Sequence, residues 1–442
     1  MPKQKPQTAS VLDANFRTEI IALVLVFMVT AMTIAAPAAQ AQTLTVLHSF
    51  TGGSDGGSPA AGLTVDAAGN LYGTTPNGGA GYGTVFKLSP SRSGWLLSPL
   101  YSFAGPPDGA TPVARVVFGP DHTLYGTTKY GGYGGGACGD QGCGTVFNLA
   151  PSPAACKTSV CRWDETILRR FSTGGWFPES EVTFDSQGNV YGTTNQSASY
   201  RDGGGGCEPC GDVFELLPTN GGWTEQDIYA FSGFTLGATG GYPVGGVIFD
   251  NDGNLYGTTN NYGCEFGTLF QLTLSGSTWA ETTLHSFCGG SDGAYPASSL
   301  IKDDAGNMYG ATPGAYAGYG GVRGSAFMLV PSNGGWNYSL IYTFSEYGGG
   351  PAGSLVMDTA GNLYGTTVTG GHLGCGSYGC GTIFKLSPAS GDWTYTELYD
   401  FTGGDDGGAP YSNLIIDAAG NLYGTASIGG QAGQGVVFEF TP

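Results

Sequence analysis

The residues that could do chemistry in this chain sit in short glycine-rich stretches. Four aspartates recur in the pattern Asp-Gly-x-x-Pro: Asp55…Pro59, Asp108…Pro112, Asp292…Pro296 and Asp406…Pro410. Close carboxylates push one another's pKa up, and such a pair can hold a cation or run acid/base chemistry at a glycosidic bond. The plainer reading is turn grammar, because Asp-Gly followed by Pro suits a tight turn and a near-regular repetition is unlike an active site. A second set is aromatic: Tyr82, Tyr130, Tyr133, Tyr200, Tyr262, Tyr316, Tyr319 and Tyr378 lie in glycine-rich loops, and Trp176 stands in a loop unlike the other tryptophans. Ring faces framed by glycine suit a sugar ring or a partner protein; they can equally pack on neighbouring loops.

Ten cysteines form close couples, Cys138/Cys143, Cys156/Cys161, Cys207/Cys210 and Cys375/Cys380, with Cys264 and Cys288 left to bridge adjacent connections. An even count in an exported chain favours disulfides, each short loop contributing about 2 kcal/mol by chain entropy. A redox pair at Cys207-Glu208-Pro209-Cys210 would open a helix after a strand, and no helical pattern follows it. A zinc site would need four convergent ligands, and no His stands at the right spacing. Of the four His, His48 and His285 occupy a position held by Tyr in most other repeats, and His372 alone falls in a variable loop. No Ser/His/Asp order, phosphate loop or metal-ligand cluster is visible, so no catalytic residue is assigned.

What must position these groups is a repeat. Tyr-Gly recurs at Tyr72, Tyr125, Tyr191, Tyr256, Tyr309, Tyr364 and Tyr423, 53 to 66 residues apart. Each unit carries four short segments rich in aromatic and β-branched residues, the strand signature. In the first unit these end at Asp66-Ala67-Ala68-Gly69-Asn70, then run Leu71-Tyr72-Gly73-Thr74-Thr75, Gly83–Leu88, and Trp95–Phe103. The Asp-x-x-Gly-Asn phrase reads as a hairpin turn, with Asp capping it and Gly in the left-handed position. A calcium loop at Asp250–Asn254 is the alternative, but it lacks the distant bidentate carboxylate such loops use. Six tryptophans (Trp95, Trp163, Trp223, Trp279, Trp336, Trp393) open the fourth segment and read as packing.

The ends are complementary. Residues Thr43–Phe50 form a fourth segment without the first three, and Val436–Phe440 a third segment without a fourth. Pairing them makes one blade and removes the exposed edges. The expected fold is therefore all-β, a seven-bladed propeller of four-stranded antiparallel blades over residues 42–442, closed by the N-terminal strand. The repeated Asp-x-x-Gly-Asn-Leu-Tyr-Gly-Thr-Thr…Gly-Thr-Val-Phe-Lys-Leu phrase resembles the gloeo/verruco tandem-repeat proteins of bacterial genomes, over essentially the whole of that region. Its first half is also similar to NHL-type propeller repeats. The resemblance implies export and this fold, and brings no established activity.

Residues 1–41 read as a secretory signal: Lys3, Lys5 and Arg17 precede the apolar run Ile20–Ala36, and Ala39-Gln40-Ala41 offers a cleavage site. The run is at the short limit for a spanning helix, so a retained anchor is the lesser reading. The expectation is a monomer that is secreted, periplasmic or held at the cell surface, with no membrane insertion after cleavage. A net charge of −19 and the absence of Lys/Arg clusters exclude nucleic acid and anionic membranes as partners. Function is expected on the rim formed by the fourth-to-first and second-to-third connections, where the sequence varies most. There Asp55, Asp108, Asp292 and Asp406 would ring the channel mouth. The first expectation is a non-enzymatic propeller binding glycan or protein there. Alternatives are a carbohydrate-active hydrolase or lyase using Asp108 or Asp406 with Glu179, and a purely structural envelope or matrix protein. No cofactor is expected, a bound calcium ion being the one the carboxylates could take.

Overall fold

Each repeat folds because its motif residues satisfy one another. In the first, Asp66 accepts the backbone N–H groups of Ala68 and Asn70 on one carboxylate oxygen. Its other oxygen takes the Asn70 amide at 2.7 Å and the Tyr72 hydroxyl at 3.0 Å. Gly69 closes the turn at φ 78°, a conformation that costs other residues a Cβ clash. The same Asp–Asn–Tyr clasp recurs at Asp250, Asp303, Asp358 and Asp417. The second unit, Gly119–Thr123, keeps it through Asp121 with Thr123 and Tyr125. These carboxylates are spent on turn donors, which is the turn reading rather than the calcium loop.

The computed structural model describes residues 42–442 except 153–162, 173–174, 198–209, 233–238, 315–321, 345–348 and 372–373. The signal segment, Cys156, Cys161, Cys207, Tyr200, Tyr316, Tyr319 and His372 lie outside the described residues. The first blade is the antiparallel meander Thr64–Val65, Leu71–Thr75, Thr84–Ser91 and Gly94–Ser102, counted from the inside outward. Five more blades repeat it, and the seventh joins Ile415–Ile416, Leu422–Ala426 and Val436–Thr441 to the N-terminal strand Thr43–Ser49. The chain is thus a seven-bladed propeller closed as its two ends require. Among the described residues the helical turns are 3₁₀ segments, at Gly136–Gln141, which contains Cys138, and at Gly376–Tyr378, between Cys375 and Cys380.

Packing between blades explains the rest of the motif. The Phe that ends each outer strand packs against the third-strand Phe of the next blade, edge-on for Phe103 on Phe147 at 5.2 Å and Phe231 on Phe270 at 5.0 Å, tilted for Phe287 on Phe327. Such pairs contribute about 0.5–1.5 kcal/mol each beyond burial. The glycine of Tyr-Gly-Thr-Thr exists for that ring: a Cβ on Gly126 would sit 2.6 Å from Phe147 Cζ. The outer-strand tryptophans are packing residues too, Trp163 against Tyr72 and Trp336 against Tyr256. The second threonine of the motif pairs hydroxyls with the third strand, as in Thr75–Thr84 at 2.8 Å. The first reaches into the next blade, Thr74 to the Ala114 carbonyl at 3.0 Å and Thr127 to that of Ser180 at 2.9 Å. Thr425 does the same to Ala61 and closes the ring.

Candidate functional site

The chain enters every inner strand through a proline: Pro59, Pro112, Pro178, Pro243, Pro296, Pro351 and Pro410. In six blades the residue before it has positive φ, from 49° at Ala409 to 59° at Tyr295. That strain is held by the preceding blade. Thr111 N–H donates to Tyr82 O at 2.8 Å and Ala409 N–H to Cys380 O at 2.8 Å. The proline ring then seats on the glycine that opens the preceding blade's third strand: a Cβ on Gly144 would meet Pro178 Cδ at 2.6 Å. Strained positions persist only where surroundings fix them, and here they aim the next three residues into the central channel.

Those residues form a cavity of ≈ 550 Å³ at the variable-rim end of the channel. Its lining breaks the sevenfold symmetry. Three positions after the proline stand Gly62, Arg115, Glu181, Gly246, Ser299, Ser354 and Asn413. One position after it, the small or aliphatic residues of five blades give way to Glu179 and Tyr411. Arg115 Nη2 lies 3.7 Å from Glu181 Oε1, and Ser299 Oγ donates to the same oxygen at 2.8 Å. Glu179 is bound by Lys129 Nζ at 2.7 Å and by the Asn195 amide. Burial alone would lower the Lys129 pKa, but the Glu179 carboxylate outweighs it and holds the ammonium above its usual range. Arg115 Nε is buried with no partner among the described residues.

The aspartates are elsewhere. The expected ring of Asp55, Asp108, Asp292 and Asp406 about the channel mouth does not form, and none of them lines the cavity. Each instead folds back on the end of the outer strand. Asp55 accepts Thr51 N–H and His48 Nε2, Asp108 accepts Ala104 N–H and the Tyr101 hydroxyl. Asp406 accepts Thr402 N–H and the Tyr399 hydroxyl, and Asp292 accepts Cys288 N–H with His285 at 3.4 Å. A separation of four residues between backbone donor and carboxylate makes this turn closure, so their repetition is structural. Burial would raise Asp55, but hydrogen bonds from Thr51 and His48 hold it below the usual range. Glu179 is in the channel without Asp108 or Asp406, so the proposed carboxylate pairs are not assembled.

The aromatic set divides. Trp176 is buried, 6% exposed, in a cluster with Cys143 and Phe171. Its ring offers no face to a ligand, because the short pairing of Gly175–Trp176 with Gln196–Ser197 turns it inward. Tyr130 packs edge-on against Phe177, and Tyr262 stacks on Tyr242 at 5.8 Å. Tyr133 (59%) and Tyr378 (52%) are exposed, together with Tyr82 (43%) and Tyr411 (41%). All four stand on the variable rim. Three disulfides tie that rim, Cys138–Cys143, Cys264–Cys288 and Cys375–Cys380, and Cys210 is also disulfide-bonded. Among the described residues no helix is long and apolar enough to cross a membrane.

Arg115, Glu181, Tyr411 and Asn413 were not legible as a site from motif spacing. A signal for them exists, since aligning the seven lead-ins on their prolines shows small residues replaced by charged and polar ones.

No curated protein matches the chain. Among solved structures, the PQQ-bound aldose sugar dehydrogenase of Streptomyces coelicolor is similar at 13% identity, covering 80% of this chain and 99% of that one, with a TM-score of 0.42. A protein of unknown function from Dyadobacter fermentans is similar at 12% identity, covering 90% and 96%, with a TM-score of 0.44. The Gloeobacter/Verrucomicrobia repeat matches four overlapping stretches, residues 32–204, 137–323, 201–394 and 314–442. The chain belongs to the Gloeobacter/Verrucomicrobia repeat family.

Proposed function

We propose that this protein is an exported, non-enzymatic propeller that binds glycan through its variable rim. The observation that carries the reading is the placement of exposed tyrosine: Tyr82, Tyr133, Tyr378 and Tyr411 all stand on one rim. An exposed ring on a rigid loop is suited to stack on a sugar face, and the Arg170 guanidinium lies 5.8 Å from the Tyr133 ring centroid beside it. The Tyr133 and Tyr378 loops carry disulfides, and lead-ins pair with neighbour loops, as Gly109–Ala110 does with Tyr130–Gly131. Little order would then have to be gained on binding. Disulfides also fit an oxidising, extracytoplasmic setting.

The test is glycan-array binding of the purified protein beside a Tyr133→Ala/Tyr378→Ala variant. Both side chains are exposed, so the fold should survive their loss. Binding that disappears in the variant supports the reading; an array without a single specific signal overturns its glycan form and leaves a protein ligand.

A further inference from the structure

The channel cavity, rather than the tyrosines alone, holds the second part of recognition. We propose that the polar sector of the channel mouth is a binding site for one neutral sugar ring, a compact polyol with vicinal hydroxyls. This rests on the glycan reading above and assigns it a specificity pocket.

The first support is asymmetry at positions that the fold treats alike. The scaffold delivers the third residue after each proline to the same ring; Asn413 there accepts the Ser354 N–H of the preceding blade at 2.7 Å, whereas Arg115 and Glu181 are departures that closure does not require. Their neighbours make room for them. A Cβ on Gly246 would lie 2.9 Å from Glu181 O and 3.1 Å from Ser299 Oγ. Its absence lets Glu181 reach across the fourth blade to Ser299 in the fifth. A Cβ on Gly62 would meet that of Asn413 at 2.9 Å.

The second support is an unmet donor. Arg115 lies too far from Glu181, at 3.7 Å, for a good hydrogen bond, and its Nε is buried without a protein partner. The side chain lines the cavity and keeps 30% of its surface exposed, so its Nη donors, not Nε, are the ones open to something in that space.

Charge selects the class. Arg115 and Lys129 are matched by Glu179 and Glu181, so a phosphate meets two carboxylates and a metal ion meets two cations. A hydroxyl suits both, because it accepts from guanidinium and donates to carboxylate. Adjacent hydroxyls match the two-pronged geometry of each group. Small or aliphatic side chains, Ala60, Val113, Val244, Ala297 and Ala352, face the same space as the Tyr295 and Tyr411 rings. A wall that mixes polar groups with C–H-compatible ones suits the surface of a pyranose. At ≈ 550 Å³ the cavity is of small-ligand size.

The experiment is isothermal titration and saturation-transfer NMR on the purified protein. The probes are glucose, galactose, mannose, glucuronate, inorganic phosphate and calcium chloride. At least one neutral hexose should bind saturably, at least tenfold more weakly to Arg115→Met and to Glu181→Gln. Tyr411→Ala, at a ring that is 41% exposed, should weaken binding too, with the thermal melt of each variant checked beside it. The Tyr133→Ala/Tyr378→Ala variant should keep hexose binding while losing the array signal. No hexose binding, tighter binding of glucuronate, phosphate or calcium, or hexose binding indifferent to all three channel variants would overturn the proposal. If the array signal depends on Tyr133 and Tyr378 while no hexose binds, the rim reading stands and the channel site falls.

Discussion

Replacing Asp212 with threonine should stabilise this protein, and increasingly so as pH rises. In four other blades the third strand opens with a threonine whose hydroxyl meets the second strand, as Thr145 meets Thr128 at 2.8 Å. The third blade puts Asp212 there, 2% exposed, against the Thr194 hydroxyl. Burial is the main reason its pKa is pushed from 3.8 up to about 8, with Asp227 and Glu225 adding repulsion against the opposing help of Thr194 and Arg169. Because the folded pKa lies above the unfolded one, the stability it contributes is complete below pH 3.8 and is lost as pH rises toward 8. At about 1.4 kcal/mol per pH unit the wild type would give up roughly 5 kcal/mol by about pH 7.5. Relaxation and water entry reduce such penalties, so about 2 kcal/mol is the working figure. The assay is urea unfolding followed by tryptophan fluorescence at two pH values, about 5 and 7.5, for wild type, Asp212→Thr and Asp212→Asn. Both variants should gain on wild type, and the gain should grow by about 1–3 kcal/mol between the two pH values. An advantage independent of pH, or none at all, would show that Asp212 is not held protonated by its surroundings.

Two further perturbations probe other parts of the scaffold. Gly144→Ala forces a Cβ to within 2.5 Å of the Thr128 carbonyl and 2.6 Å of Pro178 at φ 102°, whereas Gly188→Ala, at φ 85°, meets nothing within 4 Å. The first should cost about 2–4 kcal/mol and expose the junction of the second and third blades to protease, the second only about 1 kcal/mol; equal costs would mean the proline seat is not tight. On the acid side, burial opposes but Asn and backbone donors win at Asp66, Asp303, Asp358 and Asp417, holding them below the usual carboxylate range. Their stabilisation is present above pH ~3.8 and lost as pH falls through their folded values, while Glu165, raised to about 8 by burial and by Asp108, works in the opposite sense. Stability measured by thermal melting should therefore peak in mildly acid buffer, near pH 4–5, and fall on both sides; a maximum at pH 8 would refute the assignment of these groups.

The fold was legible in the sequence because its signals are local. Asp66 finds Ala68, Asn70 and Tyr72 within six residues, and that clasp is written out in repeat after repeat. The complementary ends predicted closure for the same reason, each being a recognisable fragment of a known unit. Turn closure by Asp108 or Asp406 was also within reach, since donor and acceptor are only four residues apart. The expectation that these carboxylates crown the channel failed because the lead-in turns back on the outer strand before its proline. Trp176 failed differently: whether a loop aromatic faces water depends on the strand it pairs with, here Gln196–Ser197, twenty residues away in sequence.

Which channel residues meet one another was decided by tertiary structure. Arg115 meets Glu181 from the next blade, and Glu181 meets Ser299 across 118 residues, passing over a blade whose glycine leaves the way clear. In one repeat these residues look like substitutions at a tolerant position. Only when six prolines seat on the glycines of their neighbours, and Gly350 takes that place against Gly324 in the remaining blade, do positions of unlike sequence face a common space. Periodicity specifies the ring because every unit repeats it, and the departures from periodicity acquire meaning only once the ring has closed.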